Sequence, residues 1–244
     1  ARSLGMLLPL ALIDSPADLP LVPPGSLPLL RPPGLPEGLD QLPWGRVDAR
    51  CGAAAAACIE ATVRLLQRGE AAAMVTAPLH KEALAAAGVA YPGHTEMLQA
   101  LAAEPGHPAP PVRMMLANDQ LRVVLVSIHV ALRQAVNLVS RERVLETIRI
   151  AHAASAAWGQ PRPRIAVAGL NPHAGEGGLF GDEELQHIAP AVRDARAEGI
   201  DAQGPFAPDT VFMRARHAPD HPGEFDLVVA MTHDHGLIPV KYLG

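Results

Sequence analysis

Apolar and polar positions alternate in blocks along this chain, and glycine and proline punctuate the blocks. "ARCGAAAAACIEATVRLLQRG" (49–69) predicts a helix closed by Gly69. "AAAMVTA" (71–77) is short and apolar, the pattern of a buried strand. "KEALAAAG" (81–88) predicts a short helix ending at Gly88, and "HTEMLQALAAE" (94–104) another with Thr95 as its N-cap. "VRMMLANDQLRVVLVSI" (112–128) predicts two strands around an Asn118–Asp119 turn. "SRERVLETIRIAHAASAAW" (140–158) is amphipathic, with Ser140 as N-cap, and "RIAVAGL" (164–170) is a strand. "DEELQHIAPAVRDARAEG" (182–199) predicts a helix capped by Asp182, closed by Gly199 and kinked at Pro190. "FDLVVAM" (225–231) is the last strand. Strands alternating with helices, plus one hairpin, imply an α/β layered fold with a mixed sheet.

Two N-terminal stretches fall outside this rhythm. "ARSLGMLLPLALI" (1–13) starts basic and turns apolar, as signal peptides do, but no convincing small-x-small cleavage site follows. It is read as a buried strand. Residues 14–45 are rich in proline, which removes donors and fixes φ, so an irregular or extended surface-packed segment is expected.

The unusual polar residues follow the apolar runs. "TAPLHK" follows "AAAMV", His129 follows "LRVVLVSI", "NPHAGEGG" (171–178) follows "RIAVAGL", and "THDHG" (232–236) follows "FDLVVAM". Ligands of open α/β sheets bind beyond the carboxyl ends of the strands. Four strand ends that each carry a histidine therefore predict one convergent site. Three neutral imidazoles (His129, His173 and His233) with an open fourth position fit a catalytic metal site. The residues alone leave capped-turn or core histidines open as the alternative. "YPGHTE" (91–96) places His94 and Thr95 at a helix start, where free backbone donors suit an anionic group or Thr95 simply caps the helix. The acidic first turn "DEE" argues against phosphate at the helix after "NPHAGEGG", and no GxGxxG fingerprint follows a strand.

Composition narrows the field. A net charge of −5 with 3% aromatics argues against a nucleic-acid surface. The longest apolar runs fall short of a membrane span. Cys51 and Cys58 have neither zinc nor disulfide-framework spacing and are expected to be small buried residues in a reducing compartment, the cytoplasm. Of 20 basic residues only Lys81 and Lys241 are lysines, in "APLHK" and "GLIPVK" beside histidine and proline, which marks both for site work. His107, His152, His187, His217 and His221 receive no assignment.

Five motifs in order are "TAPLHKEALAAAGVAYPGHTE", "SIHVALR", "GLNPHAGEGG", "GPFAPDTVF" and "AMTHDHGLIPVKY". Together they closely resemble the 4-hydroxythreonine-4-phosphate dehydrogenase family of vitamin B6 biosynthesis, from about Arg50 onward. The resemblance implies an isocitrate/isopropylmalate-dehydrogenase-like fold of two α/β lobes, a single family domain over 1–244 whose lobes the sequence does not separate. It also implies a homodimer with the metal site at the subunit interface and ligands from both chains. His129, His173 and His233 match the metal ligands, His94 and Thr95 the substrate-binding pair, and Lys241 the substrate-binding lysine. The implied chemistry is NAD- or NADP-dependent oxidation of 4-phosphooxy-L-threonine, assisted by zinc, magnesium or cobalt, to a 3-oxo acid that decarboxylates to 3-amino-2-oxopropyl phosphate. Lys241 supplies positive charge to substrate oxyanions, and Asp234 and Asp209 orient ligands or help proton transfer. No residue is assigned to the nucleotide.

The family begins with a "GEPAGIGP"-like loop and continues past "KYxG", so the chain is expected to be the middle of the enzyme, weak or inactive alone. "THDHG" carries His235 where the family generally has glutamine. A relative acting on threonate or erythronate 4-phosphate is the second reading, and a non-catalytic metal-binding module the third.

Overall fold

The computed structural model describes residues 5–91, 93–104 and 106–244. The chain forms two compact units, Ala1–Pro111 and Val112–Gly244.

In the first unit, β1 (Leu10–Ile13) and β2 (Leu27–Leu30) pair in parallel. Both alternate exposed and half-buried positions, so the expected buried strand is instead a surface ribbon; the first four residues of that stretch lie outside the described ones. The proline-rich segment is irregular as expected, apart from β2 and two short 3-10 turns. Helix α1 (Ala49–Gln67) starts at Asp48, whose side chain accepts the Arg50 amide at 2.8 Å. It ends at Gly69 (φ +70), with the Glu70 and Gly69 amides bonded back to the carbonyls of Leu65 and Leu66. Helix α2 (Lys81–Ala86) lies so close to α1 that a Cβ on Gly52 would sit 1.9 Å from the Ala83 carbonyl oxygen. Helix α3 (His94–Leu101) adds Met97 to the small core of Ala56, Ile59, Val63 and Leu84.

Three further expectations are corrected in this unit. Residues 71–77 form no strand, because strand geometry is held by ladder bonds and this run pairs with no other strand among the described residues. The N-cap of α3 is Gly93, which puts Thr95 inside the first turn. Cys51 and Cys58 are exposed, on the solvent side of α1, whose buried positions are Gly52, Ala56, Ile59 and Val63.

The second unit is the expected α/β layer structure. β3 (Met115–Ala117), β4 (Arg122–Leu125), β5 (Ile165–Ala168), β6 (Ala202–Phe206) and β7 (Leu227–Ala230) form one sheet in the order β3-β4-β7-β5-β6. Only β3 is antiparallel. The β3–β4 hairpin turns at Asn118, whose side-chain oxygen accepts the Gln120 and Leu121 amides at 2.9 Å.

Alternation along the strands builds two cores. Val124, Ile165, Val167, Leu227 and Val229 face α5 (Arg141–Ser155) and α6 (Ala189–Ala197). Val123, Leu125, Ala166, Ala168, Val228 and Ala230 face α7 (Val211–Ala215) and α8 (His233–Tyr242). Both faces are covered, which is why β5 and β7 read as continuous apolar runs. Each of these buried valine, leucine and isoleucine side chains contributes about 1.5–3 kcal/mol. The short α4 (Leu132–Asn137) follows β4.

Ser140 caps α5 as expected, accepting the Arg143 amide at 3.2 Å. Gly199 closes α6, but Asp182 does not cap it. The helix is entered through a π-helical turn over Glu184–Ile188, with the Ala189 amide bonded to the Glu184 carbonyl. Pro190 has no amide to offer the Gln186 carbonyl, and the widened turn absorbs that loss. β6, α4, α7 and α8 were not expected. β6 contains Gly204 and Pro205 and sits at the sheet edge, where a missing donor is tolerated. Among the described residues no helix is long and apolar enough to cross a membrane.

Candidate active site

β4 and β7 are neighbours, and their pairing continues beyond the strands. The Val126 amide bonds the Ala230 carbonyl at 2.9 Å, and the buried Ser127 hydroxyl donates to the Met231 carbonyl at 2.8 Å. The brace holds two chain segments side by side as they leave the carboxyl edge. His129 comes two residues after Ser127 on one, and His233 two residues after Met231 on the other. Their ring centroids lie 5.6 Å apart. His129 has φ +46, a left-handed conformation that costs a non-glycine residue about 1–2 kcal/mol. Such strain collects at functional sites.

His233 opens α8, so "THDHG" is a helix start and not a free loop. Its Nδ1 lies 2.8 Å from a carboxylate oxygen of Asp234. A carboxylate on Nδ1 fixes the tautomer and leaves Nε2 for a ligand, the usual support of a metal-bound imidazole. Asp234 is otherwise exposed.

The first turn of α8 divides two cavities. One, of about 70 Å³, is lined by Ser127, Thr232, His233 and Asp234 among others. The other, of about 310 Å³, is lined by Leu170, Pro172, His173, Pro208, Asp209 and His235. His235, given no role from sequence, therefore shares a cavity with His173 and Asp209. Burial pushes its imidazole pKa down, against the raising effect of Asp234, and its buried Nδ1 has no hydrogen-bond partner among the described residues. No local sequence motif signals this placement.

His173 stands on a left-handed turn. Residues His173, Ala174, Gly175, Glu176 and Gly177 all have positive φ, between 45° and 78°. Three of the five are not glycine, each costing about 1–2 kcal/mol. The turn carries His173 beside Phe180, with 6.0 Å between ring centroids.

Within one chain the strand-end histidines are not all brought together. The structure pairs His129 with His233. Among the described residues no group of three or more His, Cys, Asp or Glu side chains is gathered to hold a metal ion. The physical reason is the turn after β5, which points His173 into the cavity shared with Asp209. The donors present fit half of a divalent metal site, an imidazole pair with one ring oriented by a carboxylate.

Lys241 is exposed in the last turn of α8, at the opposite end from His233. Eight residues of helix separate their backbones by about 12 Å along the axis. His94 and Thr95 belong to the first unit. There His94 lines a cavity of about 300 Å³ with Cys58, Ile59, Thr62 and residues 74–79, and its buried Nε2 has no hydrogen-bond partner among the described residues. Thr95 is exposed.

A mostly parallel sheet covered by helices on both faces, with paired imidazoles at its carboxyl edge, defines a layered α/β protein. Within that class, the chain matches the family described as "Pyridoxal phosphate biosynthetic protein PdxA" over residues 23–244, and it belongs to that family. It is 56% identical over 200 residues to the 4-hydroxythreonine-4-phosphate dehydrogenase of Beijerinckia indica, covering 82% of this chain and 56% of that protein. It is 47% identical over 209 residues to the D-threonate 4-phosphate dehydrogenase of Salmonella typhimurium, covering 86% and 60%. This chain thus spans less than two thirds of the length of either relative. The crystal structure of a 4-hydroxythreonine-4-phosphate dehydrogenase from Burkholderia phymatum superimposes with a TM-score of 0.85 at 41% identity, covering 100% of this chain and 70% of that one. The fold that the motifs implied is that of the solved family members.

Proposed function

We propose that this chain carries the metal-binding part of an NAD- or NADP-dependent dehydrogenase. Its substrate is 4-phosphooxy-L-threonine, oxidised at the hydroxyl-bearing carbon. The resulting 3-oxo acid loses CO2 to give 3-amino-2-oxopropyl phosphate, on the way to pyridoxal phosphate. One observation carries this reading: His129 and His233 form an imidazole pair at the carboxyl edge of adjacent parallel strands, in a chain of the PdxA family.

In this account His129 and His233 hold a zinc, magnesium or cobalt ion, and a homodimer in the cytoplasm completes the set with His173 at the subunit interface. When bound, the ion supplies Lewis acidity to the substrate hydroxyl and to the carbonyl that replaces it. Asp234 keeps the His233 ring in its ligating tautomer. Asp209 would receive the hydroxyl proton, and a bound NAD or NADP would supply the hydride acceptor. Lys241 contributes positive charge to the substrate oxyanions. Its Cβ tilts back along α8 toward His233, so the long side chain shortens the gap along the helix. His94 and Thr95 contribute to substrate binding.

A second reading, D-threonate 4-phosphate as substrate, is favoured by the relatives of that name at 47% identity and by His235 in the cavity of His173. The two substrates differ at one carbon, amino against hydroxyl. Reduced-nicotinamide formation by the full protein containing this chain, measured side by side with both substrates, separates them. A higher kcat/KM for 4-phosphooxy-L-threonine supports the first reading, and a higher value for D-threonate 4-phosphate the second. Stoichiometric metal binding with no turnover of either identifies a binding module.

A further inference from the structure

We infer that Glu184 is the positioning residue for His173, with its buried carboxylate holding the left-handed turn in place. This rests on the reading of His173 as a ligand proposed above. Glu184 is 2% exposed, one of few charged groups in the interior. One carboxylate oxygen accepts the Leu170 and Asn171 amides, both at 2.7 Å. The other accepts the Asn171 side-chain amide at 2.9 Å. Those partners are the last residues before the turn, so the carboxylate fixes the direction in which the chain leaves β5.

The turn is also shaped around this carboxylate. A Cβ on Gly175 would come within 2.7 Å of its second oxygen, and one on Gly169 within 3.0 Å of its first. The π-helical turn that starts at Glu184 accounts for the inward aim, since a widened turn displaces its first residue from the ordinary helical face. Asn171 makes the arrangement specific. Its amide nitrogen donates to Glu183 at 2.6 Å as well as to Glu184. Both protons of that amide are used on carboxylates, so it cannot flip without setting its oxygen against one of them. A glutamine at 184 could still accept the two backbone amides, but its own NH2 would face the NH2 of Asn171.

The test uses the metal-free and cobalt-loaded full protein with Glu184→Gln and, separately, His173→Ala. Imidazole and amide NMR signals are read without metal, and cobalt(II) affinity by calorimetry. The expected result for Glu184→Gln is a folded protein by far-UV circular dichroism with displaced Leu170 and Asn171 amide signals. Its His173 ring resonances broaden or split, and cobalt affinity falls at least tenfold. Unchanged His173 resonances overturn the inference. So does wild-type cobalt affinity in Glu184→Gln when His173→Ala has lost it. A variant that does not fold also overturns it, because the residue then supports the whole domain and not the turn. If His173→Ala binds cobalt as the wild type does, the ligand reading of His173 fails. The ring resonances then decide the positioning role alone.

Discussion

His233 is oriented from behind by Asp234, whose carboxylate oxygen lies 2.8 Å from Nδ1, while the ring faces His129 across 5.6 Å. The carboxylate fixes which nitrogen is free. Asp234→Asn preserves shape but weakens that control. Divalent-metal affinity is expected to fall about 10- to 100-fold, the usual cost of losing such an outer partner. Isothermal titration calorimetry measures it. Unchanged affinity would show that the aspartate does not orient the ring.

Ser127 braces the same pair from the strand side. Its buried hydroxyl spans β4 and β7 through the Met231 carbonyl. Ser127→Ala strands that carbonyl acceptor and should lower stability by about 1–3 kcal/mol in urea melts. Metal affinity should fall with it, since His129 and His233 are each two residues beyond the brace. Lost stability with full affinity would mean the brace serves the sheet alone.

The first unit offers an independent test of packing. A Cβ at Gly52 meets the Ala83 carbonyl at 1.9 Å, a backbone atom that cannot swing away. Gly52→Ala must push α2 off α1, at a cost of about 1–3 kcal/mol or more. A lower urea midpoint for Gly52→Ala is the expected outcome, and an unchanged or raised midpoint contradicts the close approach.

Acid should act through Asp226. Burial raises its carboxyl pKa, but hydrogen bonds from the Arg164 side chain and backbone outweigh that, and the net value is held below the usual carboxylate range. A depressed carboxyl stabilises the fold above its unfolded pKa of about 4 and loses that contribution as pH falls through the folded value. Asp226→Asn should therefore be less stable than wild type at pH 7, and the difference should shrink as the pH drops below about 4. A gap that is constant with pH would assign the effect to packing.

Much of the second unit was legible because its signals are local. Ser140 and Gly199 act within one helical turn, and the runs at β5 and β7 are apolar on both faces because both faces are covered. The misreadings have non-local causes. Residues 71–77 look like a strand, but a strand needs a partner that a local pattern does not reveal. Gly236 and Pro239 are poor helix formers, so α8 has no clear local signal, yet Leu237 and Val240 bury apolar surface that holds the helix. At the site, strand-end reasoning pointed to His129 and His233 among others, and the rings of these two lie 5.6 Å apart. It could not foresee the turn at His173, whose left-handed residues answer to a carboxylate on a later helix. The prolines at 108, 110 and 111 mark the boundary between the units, a local signal carried by the sequence itself.

If His129 and His233 hold the metal as proposed, metal content and turnover both depend on them. The direct measurement is bound divalent metal per chain, with reduced-nicotinamide formation from 4-phosphooxy-L-threonine in the same samples. It is made on the full protein and its His129→Ala and His233→Ala variants. Each variant is expected to lose both the metal and the turnover while its circular dichroism is unchanged. A folded variant that keeps wild-type metal content and turnover would contradict the proposal.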